Sequence, residues 1–120
     1  MANFNFNKVI LGGNLTADPE LKTTSNGTSV TQFCIAVNRR GKEGGQQADF
    51  INCVAWKGTA EFITKYFRKA STICVTGRIQ TRTWKDQSGN NRYATEVMVE
   101  EATFVDSKNE NSAQPYQSAP

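Results

Sequence analysis

The 120-residue sequence contains no histidine, which removes the side chain used most often as a general base and as a metal ligand. Its three cysteines, Cys34, Cys53 and Cys74, are odd in number, and no pair has metal-ligand spacing. Each lies in an apolar, strand-like run, so small buried thiols in a reducing compartment are expected. No apolar run approaches the ~20 residues of a membrane span. The opening Met1-Ala2-Asn3-Phe4-Asn5 lacks the charged and apolar regions of a signal peptide. A cytoplasmic protein without membrane association is expected. The carboxylates Asp18, Glu20, Asp49 and Asp86 sit on separate loops and make no two-metal set. Gly12-Gly13 is not followed by Gly-Lys-Ser/Thr, so no phosphate-cradling loop is present. These absences argue against an enzyme and lead us to expect no cofactor and no metal.

What the sequence does contain is unevenly placed charge. Residues 1–95 hold thirteen Lys and Arg against six Asp and Glu, whereas residues 96–120 hold one Lys against five acids. A basic body with an acidic end fits an anionic ligand for the body. Within that body, residues 50–93 interleave the rings Phe50, Trp56, Trp84 and Tyr93 with Lys57, Arg78, Arg82, Lys85 and Arg92. Rings offer surfaces on which unpaired bases stack, and Lys and Arg neutralise phosphates, which together suit single-stranded nucleic acid. Paired bases hide their faces, so duplex readers rarely need rings on a strand.

Apolar residues alternate with a period of two over most of the chain, which argues strands. A first strand is expected from Phe4 to Leu11, ending at Gly12-Gly13, and a short extended piece at Leu21–Thr23. Asn26-Gly27 signals a hairpin turn. The second strand, Thr28 to Asn38, places Phe33, Ile35 and Val37 on one side. Arg39–Gln47 holds three glycines and should be a mobile loop. In the third strand, Asp49 to Lys57, the small apolar set Ile51, Cys53 and Ala55 faces away from Phe50, Asn52, Val54 and Trp56. The first set suits a crowded barrel interior and the second a binding face. Thr59 to Lys69 changes to helical spacing, with Phe62, Ile63, Tyr66 and Phe67 in one apolar stripe and Lys65, Arg68 and Lys69 at its end. The fourth strand, Thr72 to Lys85, is unusually long, and Gly77 is a candidate bulge that resets its faces. The turn Asp86–Asn91 returns the chain as a fifth strand from Arg92 to Val99, with Thr103–Val105 a candidate extension. Strands four and five should project beyond the barrel as a ribbon. Residues 1–106 read as one domain, and from Ser107 to Pro120 the Ser, Asn, Gln, Ala and Pro composition reads as a disordered tail.

Five strands with one helix between the third and fourth is the order of an OB-fold, an all-β, five-stranded Greek-key barrel. Specific residues add a resemblance. Asn7-Lys8-Val9-Ile10-Leu11, Gly13-Asn14-Leu15, Asp18-Pro19-Glu20 and Asn26-Gly27 come first. Ala36-Val37-Asn38-Arg39, Ala48–Val54, Gly77–Arg82, Asp86-Gln87-Ser88-Gly89 and Arg92–Val97 follow in order. Over about residues 5–105 this string resembles the bacterial and phage single-stranded DNA-binding protein family. The resemblance implies an OB-fold assembled as a homotetramer, with single-stranded DNA wrapped across the subunits. It also implies roles in replication, recombination and repair without sequence readout, in the host cytoplasm if the protein is phage-encoded. By position, Phe50, Trp56 and Trp84 match the family's base-stacking aromatics, and Tyr93 joins them from the ring pattern. Phosphate contacts are expected from Lys8, Arg39, Arg40, Lys57, Arg78, Arg82, Lys85 and Arg92. Two departures stand out. Where the family often has a further aromatic after the second strand, this sequence reads Arg39-Arg40-Gly41. It ends Gln117-Ser118-Ala119-Pro120, without the acidic tip and terminal Phe that recruit replication and recombination proteins in family members.

Competing readings remain for several of these residues. Trp56 can cap the barrel core, and subunit packing can claim Phe50. Arg78 and Arg82 can pair with Glu96 or Glu100 across the hairpin. At the level of the whole protein, the aromatic face can instead serve a protein partner.

Overall fold

The computed structural model describes residues 3–40 and 47–105. Its strands are β1 (Val9–Leu15), β2 (Lys22–Thr23), β3 (Ser29–Asn38), β4 (Ala48–Trp56), β5 (Thr72–Lys85) and β6 (Asn91–Phe104). One helix, α1 (Lys57–Tyr66), lies between β4 and β5. The sheet order is β1-β5-β6-β4-β3-β2, and a further pairing of β1 with β3 closes it. Five strands therefore form a barrel, and the two-residue β2 is appended to β3. All pairings are antiparallel except β4 with β6, which run parallel through Cys53↔Val97 and Val54↔Met98. This is the OB-fold architecture that the element order implies. Most of the loop expected over Arg39–Gln47, and all of the tail from Ser107, lie outside the described residues.

The interior follows from the period-two pattern. Phe33 and Ile35 on β3, Cys53 and Ala55 on β4, Ile73 and Val75 on β5 and Val97 and Val99 on β6 are all buried. Helix α1 closes one end of the barrel with Ala60, Phe62 and Ile63, and Phe67 follows as its C-cap. The Phe67 ring stacks on Phe104 at 5.0 Å and meets Phe62 edge-on at 5.7 Å. The helix is shorter than its apolar stripe suggests, because Phe67 already takes extended backbone angles (φ −118°, ψ 146°). Arg68 lies past the end and caps it, its Nη1 donating to the carbonyls of Thr64 and Phe67. Lys65 is the basic residue of the last turn.

Two strand expectations change. The first strand begins at Val9 rather than Phe4, and it runs through Gly12-Gly13 instead of ending there. Before it, the Asn7 side chain takes over the pairing. Its Nδ2 donates to the Ile79 carbonyl (2.8 Å), and the Ile79 N–H donates to its Oδ1 (2.9 Å). Gly13 is needed where β1 crosses onto β3, since a Cβ there would overlap the Ala36 carbonyl.

The second change concerns the bulge. The register of β5 against β6 shifts between Thr76 and Gly77, with Thr76 opposite Glu101 and Gly77 opposite Val99. The extra residue is thus Glu100, on β6 and not on β5. It is β6 whose faces are reset: Val97 and Val99 point inward before the bulge, Ala102 after it. Gly77 lies against the Met98 backbone so closely that a Cβ would overlap it. β5 keeps one parity throughout, which leaves Cys74 on the outer side, half-buried. β6 continues without a break to Phe104, absorbing the extension expected at Thr103–Val105.

Candidate nucleic-acid interface

Residues opposite one another in a ladder share a face, and neighbours along a strand alternate. From β5 and β6 this places Arg78, Gln80, Arg82 and Trp84 with Met98, Glu96, Ala94 and Arg92. Met98 pairs with Val54 on β4, which carries Phe50, Asn52 and Trp56 on the same side. β3 adds Val30, Gln32, Cys34 and Ala36. One outer face of the barrel therefore spans four strands and carries Phe50, Trp56 and Trp84 together.

Two adjoining hollows mark that face. One of about 290 Å³ lies among Val30, Val54, Trp56, Gln80 and Met98. The other, of about 430 Å³, lies among Thr16, Cys34, Asn52 and Ala94. Gln32, Arg82 and Glu96 line both. Phe50 is 66% exposed, Trp56 38% and Trp84 42%. None of the three belongs to the barrel core. Trp56 ends β4, and the chain turns into α1 at Lys57 through a left-handed φ of 57°. That turn leaves the indole at the rim of the smaller hollow.

The structure separates Tyr93 from these rings. Tyr93 pairs with Thr83, on the opposite side of the ribbon from the Trp84–Arg92 pair, and it is 71% exposed. Lys85 lies on Tyr93's side as well, opposite Asn91. That side continues the inward parity of the barrel: Ile79 belongs to it yet is half exposed, because the pairing of β1 with β5 ends at Val9↔Gly77. Tyr93 is thus a ring of the ribbon but not of the four-stranded face.

The expected phosphate ligands divide into two groups. Arg39 pairs with Asp49 (2.8 Å), Arg78 with Glu100 (3.0 Å), Arg82 with Glu96 (2.9 Å) and Arg92 with Asp86 (2.9 Å). The Arg39 hydrogen bond holds the Asp49 carboxyl below its ordinary pKa. Arg82 also lies over the Trp84 ring, 4.7 Å from its centroid. Lys8, Arg40, Lys57 and Lys85 are exposed and form no ion pair among the described residues. Asp86 organises the tip of the ribbon. Its carboxyl accepts the backbone N–H groups of Ser88 and Asn90 as well as Arg92 Nε, and Gly89 takes the left-handed φ of 85° that the turn requires.

Glu96, Gln32 and Cys34 are members of the face that ring-and-charge spacing does not select. Glu96 is visible in the sequence only as a partner for arginine, and Gln32 and Cys34 only once β3 is placed in register with β4. Cys53 lies just behind the face. Burial, with smaller contributions from Cys34 and Glu96, pushes its thiol up to about 12. It is a neutral packing group at any physiological pH. Among the described residues no cluster of His, Cys, Asp or Glu could hold a metal ion, and no helix is long and apolar enough to cross a membrane.

A small OB barrel with exposed rings and cations on one outer face defines a ligand-binding domain of the kind that carries polyanionic strands. Residues 6–105 match the Single-strand binding protein family, and the chain belongs to that family. It is 44% identical over 110 residues to the single-stranded DNA-binding protein of Oceanobacillus iheyensis, an overlap covering 90% of this chain and 68% of that one. It is 46% identical over 105 residues to the Bacillus cereus single-stranded DNA-binding protein, covering 86% and 62%. Against Bacillus subtilis single-stranded DNA-binding protein A it is 45% identical over 105 residues, covering 86% and 61%. The chain thus spans about two thirds or less of the length of the relatives it matches.

Proposed function

We propose that this chain binds and protects single-stranded DNA without reading its sequence, in replication, recombination and repair. The observation that carries this reading is the gathering of Phe50, Trp56 and Trp84 on one exposed outer face beside Arg78 and Arg82. Bases stack on the three rings, each good contact contributing about 1–3 kcal/mol, a general value for OB-folds that bind single strands rather than one derived from this chain. Lys8, Arg40 and Lys57 supply a salt-sensitive term of about −0.7 in the slope of log K against log salt per phosphate neutralised. Arg39 and Arg78 join them by exchanging exposed carboxylates for phosphates, and Arg92 offers a phosphate the Nη groups that its bond to Asp86 leaves free. Tyr93 and Lys85, on the far side of the ribbon, serve a strand only where it wraps around the tip. The binding is not catalytic and takes place in the cytoplasm.

The protein acts as a homotetramer. Support comes from exposed apolar groups away from the three rings: Phe4 and Phe6, stacked at 6.3 Å, together with Ile10 and Ile79. Several subunits on one strand multiply modest affinities through effective concentration. Light scattering should give a mass of about four chains, and a clean monomer would refute the assembly.

Tryptophan fluorescence, titrated with oligo-dT and with duplex of equal length at low and high salt, tests the binding itself. Strong quenching by the single strand alone, weakened by salt, is the expected result. Absence of both quenching and binding would turn the aromatic face over to a protein partner.

A further inference from the structure

Each of the four ion pairs found among the described residues engages an arginine expected to neutralise phosphate. Asp86, its side chain 24% exposed, is tied further by the Ser88 and Asn90 N–H groups, whereas Asp49 and Glu100 are open to solvent, with side chains 46% and 53% exposed. Such surface pairs are weak and yield readily to a better anion. Glu96 differs. Its side chain is 10% exposed, against 47% for Arg82, and it forms the wall shared by the two hollows of the face. A buried carboxylate that loses its partner is strongly unfavourable. Covering it with a polyanion makes the loss worse.

We infer that Glu96 limits the affinity of the interface: its buried carboxylate retains Arg82 when the strand binds, so that this arginine braces Trp84 and adds nothing to phosphate neutralisation. The inference rests on the single-strand reading above and deepens it. The Arg82 guanidinium takes one carboxylate oxygen through Nε and lies over the Trp84 ring. The pair holds the indole in place, yet it carries no net charge. A phosphate touching its free Nη groups therefore releases no counterion, and Glu96 repels the strand at the centre of its path.

Glu96→Gln keeps the shape and leaves an oxygen to accept from Arg82, while removing the charge. The expected result is a salt slope steeper by about 0.7, which amounts to an affinity gain of about eightfold at 50 mM salt that vanishes near 1 M. The double variant Arg82→Gln/Glu96→Gln removes the pair as a unit and should return the wild-type slope. The probe is oligo-dT with tryptophan quenching, and thermal melting of each variant reports folding. A Glu96→Gln slope equal to or shallower than wild type would overturn the inference. So would a double variant whose slope falls by about 0.7, because Arg82 would then already lie on phosphate. Should Glu96→Gln fail to fold, the double variant decides alone. A wild-type chain that does not bind the single strand would remove both the functional reading and this inference, whereas wild-type binding with an unaltered variant slope removes the inference alone.

Discussion

Trp84 and Tyr93 sit one step apart in the ladder of the β5–β6 ribbon and face opposite ways. On the Trp84 side, Arg78, Gln80, Arg82 and Arg92 continue the outer surface of the barrel, and the hollows bring β3 and β4 alongside. On the Tyr93 side, Ile79, Thr81, Thr83 and Thr95 continue the parity of the interior into a region where no barrel remains to cover them. Both sides carry an exposed ring and at least one cation. Only one belongs to a surface that several strands build together. Register decides which ring joins that surface, and nearness in sequence is a poor guide to it.

The comparison can be broken outright at Gly77. An alanine Cβ there would overlap the Met98 backbone, which cannot swing aside as a side-chain tip could. Gly77→Ala should cost about 3 kcal/mol, the upper part of the range for overpacking, and lower the melting temperature accordingly. Both sides of the ribbon should lose their placement together, so binding should fall as well. Wild-type melting and binding in that variant would show that the crossing has slack.

The next effect sharpens the contrast. Trp84→Ala should weaken oligo-dT binding by the equivalent of about 1–3 kcal/mol, roughly five- to 150-fold, with little change in melting temperature. Tyr93→Ala should change affinity for a short oligonucleotide by less than about 0.5 kcal/mol, as expected of a surface position away from the site. Equal losses in the two variants, measured by the same quenching titration, would erase the distinction between the sides.

Acid should produce the smallest effect, at the tip. The Asn90 backbone N–H, then Arg92, then further turn N–H groups hold the Asp86 carboxyl below its ordinary value of 3.8. A carboxyl with a lowered folded pKa stabilises fully above its unfolded value and loses that contribution as pH falls through the folded one. The tip should therefore be unchanged from pH 7 to 5 and begin to fray only below about 3.8. Amide exchange at Gly89 and Asn90 reads this directly, and fraying already at pH 5 would contradict it.

Much of this was legible in the sequence. Strand parity on β4 separates Ile51, Cys53 and Ala55 from Phe50 and Trp56, and the structure keeps that division. Val54 alone crosses it, buried although it shares the outer parity, because Met98 and Gln32 flank it. Grouping Tyr93 with Trp84 followed ring-and-charge spacing along the chain. Their opposition depends on the turn register that makes Lys85 face Asn91, which spacing does not encode. Phe4 and Phe6 alternate as strand residues do, but Asn7, directly after them, spends its amide on the Ile79 backbone, so the strand starts later. A bulge was expected at Gly77 to reset the faces of β5, where Cys74 shares the parity of the polar set, yet the extra residue is the neighbouring strand's Glu100, whose side chain gives no such sign. Register puts Glu96 on the face, but its burial, which sets it apart there, depends on the neighbouring strands as well.

The extra residue at Glu100 also has a bearing on how such a molecule can vary. It lets β6 keep an inward face in the barrel on both sides of the bulge, and the ribbon carries on the alternation set at Val97 and Val99. Residues added to the ribbon two per strand would lengthen the arm and return every ring and arginine to its side. A single residue added to one arm between the bulge and the tip would exchange the two sides of that arm beyond it. Reach is thus free to change in even steps while the barrel stays untouched, and a frame one residue out of step would present threonines where the arginines had been.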